Sequence, residues 1–161
     1  MTQKSEFNAE EWSQVSEAPP LAGVIVITAQ RGGTLRESIA LGKAYAEARQ
    51  NQGDNELLDA IVAEQPHVNP QERYGSAEEL RTAGLEKIRE AIELAKSKAT
   101  PDEVDGYKQF IVDLAERAAH AHKEGGFLGI GGKEVSEAEQ AALDEIRAAV
   151  DSPEQQHASA G

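Results

Sequence analysis

Polar and apolar residues alternate along much of this chain with the period of amphipathic helices. In segment 76–99 the apolar positions are mostly three or four apart, and they are Leu80, Leu85, Ile88, Ile92, Ala95 and Ala99. The same spacing continues after Thr100, at Val104, Tyr107, Ile111, Leu114 and Ala118. Because only a few residues separate the two patterns, they predict a long antiparallel helical hairpin over residues 79–124.

A recurring helix-start signal predicts further helices. In a capping box, a short polar side chain bonds a free amide, and a Glu three residues later bonds back. Five such pairs each precede an apolar pattern, and they are Asn8/Glu11, Thr34/Glu37, Ser76/Glu79, Thr100/Glu103 and Ser136/Glu139. With a shorter pattern between Asn55 and Pro66, they predict an all-α, single-domain bundle of six or seven helices. We expect the bundle to span residues 1–151 and residues 152–161 to form a disordered tail.

Segment 21–29, LAGVIVITA, leaves its element type open. Its β-branched residues are compatible with a strand, but no other segment predicts a partner strand. Pro19 and Pro20 suit the first turn of a helix, so we favour a buried helix from about Pro20 to Gln30 in the middle of the bundle. We expect Trp12 to anchor a separate short helix before it. Glycines at 42 and 84 lie inside helical patterns and predict close helix crossings.

Charge and composition narrow the classes of function. The chain has 161 residues, 29 acids, 16 bases and a net charge of -13, which disfavours binding to nucleic acid. It has no cysteine, which excludes thiol catalysis and Cys-ligated metal. The N-terminus lacks a signal-peptide pattern, and the longest apolar window is about half of what a membrane-spanning helix needs. We therefore expect a cytoplasmic protein without stable membrane insertion.

The glycine-rich segment 125–132, GGFLGIGG, is the most distinctive motif. A phosphate-binding loop would need glycine at Phe127 and Ser or Thr at Glu134, so nucleotide binding is disfavoured. In a structural interpretation, glycines end the preceding helix and the apolar residues pack into the core. In a functional one, an exposed tip contacts a protein partner or dips into a membrane interface. The residues of this candidate tip are Gly126, Phe127, Leu128, Gly129 and Ile130.

Histidines do not form a convincing metal site in the sequence. His120 and His122 are two apart and point to different sides of a helix. The Glu-x-x-His spacing of di-iron bundles occurs at Glu64 and His67, but Pro66 between them breaks the helix that this motif needs. We assign no catalytic, cofactor-binding or metal-ligating residue and expect no cofactor.

Two resemblances add to this picture. The Glu-Glu-Trp helix start at 10–12, the proline-led apolar helix and the C-terminal GGFLGIGGKEVSEAEQAALDEI resemble a small family of bacterial all-helical proteins without an assigned activity. Residues 135–146, VSEAEQAALDEI, are similar to helix starts of TerB-like tellurite-resistance domains. The second resemblance implies a small all-α, metal-related domain, although residues 132–134 replace the acidic Asp-Gly turn of those domains.

Three functional hypotheses follow. The leading one is a small, acidic, cytoplasmic, non-enzymatic interaction module that takes a protein partner at the candidate tip. The alternative is a stress-related, TerB-like domain that binds a metal or a small ligand among its acidic helix ends. The third is an enzyme that uses a carboxylate pair in a helical cleft. Homo-oligomerisation stays open, because alanine-rich helix faces suit both internal crossings and dimers.

Overall fold

The structure is a computed structural model that describes residues 2–29, 35–67, 75–124 and 136–151, with the backbone alone at 35–38 and 122–124. Within these residues it contains a short 3-10 helix, Lys4–Glu6, six α-helices and no strand. The helices are α1 (Ala9–Ala29), α2 (Leu35–Gln50), α3 (Glu56–Ala63), α4 (Ala77–Lys98), α5 (Pro101–Glu124) and α6 (Glu137–Val150). The predicted all-α bundle is confirmed.

The helix starts follow local capping chemistry. Three predicted capping boxes form in both directions, and they begin at Asn8, Thr100 and Ser136. At Ser76 the hydroxyl accepts a hydrogen bond from the Glu79 amide at 3.1 Å, but the Glu79 carboxylate bonds the amide of Gly75 instead. The fifth predicted box, at residues 34–37, lies outside the described side chains. The α3 helix begins with Asn55 as its cap, as the pattern predicts.

The prediction of a separate helix starting at Pro20 is wrong. Helix α1 runs without a break from Ala9 through both prolines to Ala29. A proline inside a helix lacks the N–H that would bond the carbonyl four residues earlier. For Pro19 that carbonyl belongs to Val15, and the buried hydroxyl of Tyr107 on α5 donates a hydrogen bond to it at 2.7 Å. A tertiary contact therefore replaces the hydrogen bond that the proline removes.

Helix α1 lies at the centre of the bundle. It packs extensively against α4 and α5, and less extensively against α6 and α2. In its second half, Leu21, Ala22, Ile25 and Val26 are buried. The prediction that LAGVIVITA forms a buried helix is therefore confirmed, and its strand alternative is wrong. None of the described helices combines the length and the apolar character needed to cross a membrane.

The predicted hairpin consists of α4 and α5, joined by Ala99 and Thr100. These two helices contact each other much less than each contacts α1. The crossing of α4 with α1 is close at Gly84, where an added methyl would lie 2.8 Å from Cδ1 of Ile25. No described atom lies within 4 Å of a methyl built at Gly42. The crossing predicted at Gly84 is thus confirmed, and the one predicted at Gly42 is not formed within the described residues.

Helices α2 and α3 pack on another side of α5 and enclose a second, smaller core. Its buried members are Leu41, Ala44, Tyr45, Val62, Phe110 and Leu114. The rings of Tyr45 and Phe110 contact each other with their centroids 5.4 Å apart. Because α2 makes little contact with α1, a gap opens between these helices next to the second core.

Candidate functional site

A cleft of about 220 Å³ lies between α1, α2 and the end of α3. The α1 residues that line the cleft are mostly three or four positions apart, so they lie on one face of the helix, and this face forms a wall of the cleft. The lining residues are Ala9, Trp12, Ser13, Ser16 and Glu17 from α1, Tyr45 from α2, Ile61 from α3, and Glu64, Gln65 and His67 from the segment after α3. The cleft combines two aromatic residues with hydroxyl, amide and carboxylate groups.

Tyr45 is the most deeply buried polar residue of the cleft, with 1% of its surface exposed. Burial raises the pKa of its phenol well above the usual range, whereas the positive charge of Arg49 lowers this pKa and the Glu64 carboxylate raises it slightly. The hydroxyl is therefore neutral at physiological pH and can donate a hydrogen bond. Within the part of the chain that the structure describes, no residue bonds this hydroxyl. Tyr45 thus brings an unused hydrogen-bonding group to the cleft.

The backbone of α1 changes its hydrogen bonding beside the cleft. Pro20 has no N–H to donate to the carbonyl of Ser16, a lining residue four positions earlier. Among the described side chains, none donates to this carbonyl, whereas the equivalent carbonyl of Val15 accepts from Tyr107. The hydroxyl of Ser16 bonds the carbonyl of Ser13 at 3.3 Å. The second proline therefore leaves an acceptor of α1 without its helical amide at the level of the cleft.

An acidic and aromatic corner closes one end of the cleft. Trp12 is buried and packs against Phe7, which confirms its predicted anchoring role. Its indole N–H donates to Glu64 Oε1 at 3.0 Å. The ammonium of Lys4 binds the same oxygen and lies 5.4 Å from the centre of the indole ring. Burial alone would raise the pKa of Glu64, but the hydrogen bonds from Lys4 and Trp12 lower it, so the carboxylate is charged at neutral pH.

Neighbouring contacts hold the two carboxylates of the cleft in place. Arg49 of α2 donates from Nε to the carbonyl of Val62 and from Nη2 to the carbonyl of Glu64 at 3.0 Å. These bonds satisfy carbonyls at the end of α3 and position Glu64. On α1, Ser13 Oγ donates to Glu17 Oε1 at 2.8 Å. Both carboxylates are therefore presented by ordered parts of the fold.

A second cleft, of about 370 Å³, lies on the other side of the same α1 ridge. Ser13 and Glu17 line both clefts. The remaining residues of the second cleft are Glu10, Gln14, Ala18, Leu21 and Lys87. It is larger, but it contains no buried polar group comparable to Tyr45. We therefore take the cleft at Tyr45, the Tyr45 cleft, as the candidate site.

Other carboxylates with a shifted pKa serve structural contacts. Glu103 is buried and accepts hydrogen bonds from the amide and hydroxyl of both Thr2 and Thr100, at 2.5 to 3.2 Å. Burial alone would raise its pKa, but these bonds lower it to about 2. Hydrogen bonds from Lys98 and Arg117 lower the pKa of Glu11 and Glu47, respectively. Each of these groups is held in its charged form by a partner.

The residues predicted as an interaction tip, 126–130, lie outside the described part of the chain, as does the side chain of His122. His120 contacts the backbone carbonyl of Glu116 through Nδ1 at 2.7 Å, while the Glu116 carboxylate pairs with Arg147. Among the described residues, no group of three or more His, Asp or Glu side chains is arranged to hold a metal ion. Glu64 and His67, whose spacing is that of a di-iron motif, instead line the Tyr45 cleft.

No protein-family model, curated protein or solved structure matches this chain. The resemblances to small bacterial helical proteins and to TerB-like domains stay predictions that rest on the residues quoted for them. Local sequence patterns do not predict the Tyr45 cleft. Tyr45 belongs to an apolar stripe in the sequence, and its role becomes visible when the helices are packed.

Proposed function

We propose that this chain is a small, cytoplasmic, non-enzymatic module that binds a small ligand in the Tyr45 cleft. The observation that supports this most directly is that Tyr45, only 1% exposed, lines the cleft and that its hydroxyl bonds no described residue. A ligand that bonds this hydroxyl would gain a hydrogen bond worth about 0.5–1.5 kcal/mol.

The size of the cleft supports a ligand larger than one water molecule. Its volume is about 220 Å³, whereas a site for a single water needs roughly 10–15 Å³. Apolar walls with a few placed polar groups are typical of small-molecule sites. Here Trp12 and Ile61 supply apolar surface, and Tyr45, Ser13 and Ser16 supply hydrogen-bonding groups.

The pKa shifts of the carboxylates favour a binding function over general acid catalysis. A carboxylic acid that donates a proton near neutral pH needs a raised pKa. Among the described residues, the carboxylates whose pKa is shifted are Glu11, Glu47, Glu64 and Glu103, and each of these shifts is downward. Their partners stabilise the charged form, which fits structural or ligand-binding roles.

Tyr45→Phe tests the proposal, with Tyr107→Phe as a matched control. Trp12, the single tryptophan of the chain, lines the cleft, so its fluorescence reports binding of compounds from a set of small amines, alcohols, amino acids and carboxylic acids. We expect at least one compound to bind, and Tyr45→Phe to weaken its binding about tenfold without loss of stability. Tyr107→Phe removes a hydroxyl outside the cleft and should leave binding unchanged. The proposal is wrong if no compound binds, or if the two variants affect binding equally.

A protein partner at residues 126–130 is a second proposal, supported by the sequence alone. Phe127, Leu128 and Ile130 stand between glycines in an acidic chain, a composition that suits an apolar contact. The test is a Phe127→Asp/Leu128→Asp variant in affinity capture, with circular dichroism as the folding control. A folded variant that loses a specific partner supports the proposal, whereas loss of folding would assign these residues to the core.

A further inference from the structure

We infer that the ligand of the Tyr45 cleft is a small organic cation that carries a primary ammonium group. This inference rests on the proposed ligand-binding function and specifies its chemistry. Three features support it: the charge of the lining residues, the aromatic surface beside them, and the ammonium group of Lys4, which occupies the corner of the site.

The lining of the cleft is acidic. Glu17 and Glu64 are both part of it, and no Lys or Arg is among the described lining residues. Arg49, a cation close to the cleft, is engaged by backbone carbonyls at the end of α3. A ligand carboxylate or phosphate would therefore meet two acidic side chains without a lining Lys or Arg, whereas an ammonium group would find carboxylate acceptors.

Trp12 and Glu64 together have the arrangement that ammonium recognition uses. A cation is attracted to an aromatic face within about 6 Å of the ring centre. The ammonium group of Lys4 lies within this distance, 5.4 Å from the centre of the indole ring, and it also binds the Glu64 carboxylate. The chain thus shows, with its own side chain, that this corner accommodates a primary ammonium.

Lys4 is an exchangeable occupant. Its side chain is 58% exposed and that of Glu64 is 40% exposed, and ion pairs at such positions contribute little to stability. A ligand inside the cleft would gain contacts that Lys4 lacks, namely the apolar wall and the hydroxyl of Tyr45. The phenol can donate to an oxygen of the ligand or accept from its ammonium group. Lys4 and the ligand would therefore compete for Glu64.

The test compares three probes of similar shape and different charge: n-butylammonium, n-butanol and butyrate. Binding is followed by Trp12 fluorescence and by amide chemical shifts at constant ionic strength. We expect n-butylammonium to bind at least tenfold more tightly than n-butanol and butyrate to bind more weakly still. Lys4→Met should strengthen binding of n-butylammonium about two- to fivefold, because it removes the competing ammonium.

Glu64→Gln separates specific binding from general attraction of cations to an acidic protein. This substitution should weaken n-butylammonium at least tenfold and leave n-butanol nearly unchanged. Its matched control is Glu93→Gln, which neutralises another lysine-paired carboxylate on the surface of α4 and should have no effect. Circular dichroism shows whether each variant is folded, and Glu17→Gln provides a second test if Glu64→Gln unfolds.

The outcomes distinguish this inference from the function on which it rests. If n-butanol or butyrate binds as tightly as n-butylammonium and Tyr45→Phe weakens that binding, the cation inference is wrong and the ligand-binding function stands. If Glu93→Gln weakens n-butylammonium as much as Glu64→Gln does, the attraction is general and the inference is also wrong. If neither these probes nor the wider set of compounds binds, both proposals fail.

Discussion

Removal of the Tyr107 hydroxyl tests how α1 tolerates Pro19. Tyr107 is fully buried, and its hydroxyl donates to the carbonyl of Val15 at 2.7 Å. Pro19 cannot supply the amide that this carbonyl would otherwise bond. In Tyr107→Phe the shape of the side chain is kept and a buried acceptor loses its donor. We expect the free energy of unfolding to fall by about 1–3 kcal/mol, the usual cost of such an unsatisfied group.

The effect of Tyr107→Phe should be much smaller in a protein that already carries Pro19→Ala. In Pro19→Ala the amide of residue 19 can bond the Val15 carbonyl, so the hydroxyl of Tyr107 is no longer needed there. Tyr107→Phe should then cost less than about 0.5 kcal/mol. The double-mutant cycle is therefore expected to show a coupling energy of at least about 0.5 kcal/mol between these residues, which are 88 positions apart in sequence.

Urea denaturation followed by circular dichroism measures all four proteins of the cycle. The denaturant dependence of the unfolding free energy should be similar in each, which shows that the same transition is compared. Equal costs of Tyr107→Phe in the two backgrounds, within about 0.3 kcal/mol, would refute the argument that the hydroxyl replaces the missing amide.

Further predictions concern Glu103 and two glycines. Because hydrogen bonds lower the pKa of Glu103 from 4.5 to about 2, its charged form contributes about 3 kcal/mol above pH 4.5, and this is lost as the pH falls towards 2. Glu103→Gln should therefore be less stable than the wild type at pH 7 and approach it near pH 2 in urea titrations. Gly42→Ala should raise stability by about 1 kcal/mol, since the site is open and alanine favours helix. Gly84→Ala should be less stable than Gly42→Ala by about 1–3 kcal/mol in the same assay, because its methyl would meet Ile25 at 2.8 Å; equal stability would contradict the close crossing.

The roles of the cleft residues could not be predicted from the sequence pattern alone. Trp12 is correctly predicted as an anchor from its position after a helix cap, but its indole also bonds Glu64, which lies 52 residues away. Tyr45 follows the apolar spacing of α2, and nothing local distinguishes it from a core tyrosine. Glu64 and His67 have the Glu-x-x-His spacing of di-iron bundles. In the structure both residues line a cleft whose other walls come from α1 and α2. Each of these roles depends on a partner that is distant in sequence.

The sequence by itself determined where helices begin, which of their faces are apolar, and that the described chain forms helices without strands. Capping boxes and apolar spacing act over three to eight residues, so they can be read without knowledge of the fold. Tertiary structure decided that α1 continues through Pro19, that the close crossing forms at Gly84, and that a cleft opens at Tyr45. Each of these features depends on which side chain the packing of the helices brings to a particular carbonyl, glycine or hydroxyl. The local sequence pattern carries no information about such distant partners.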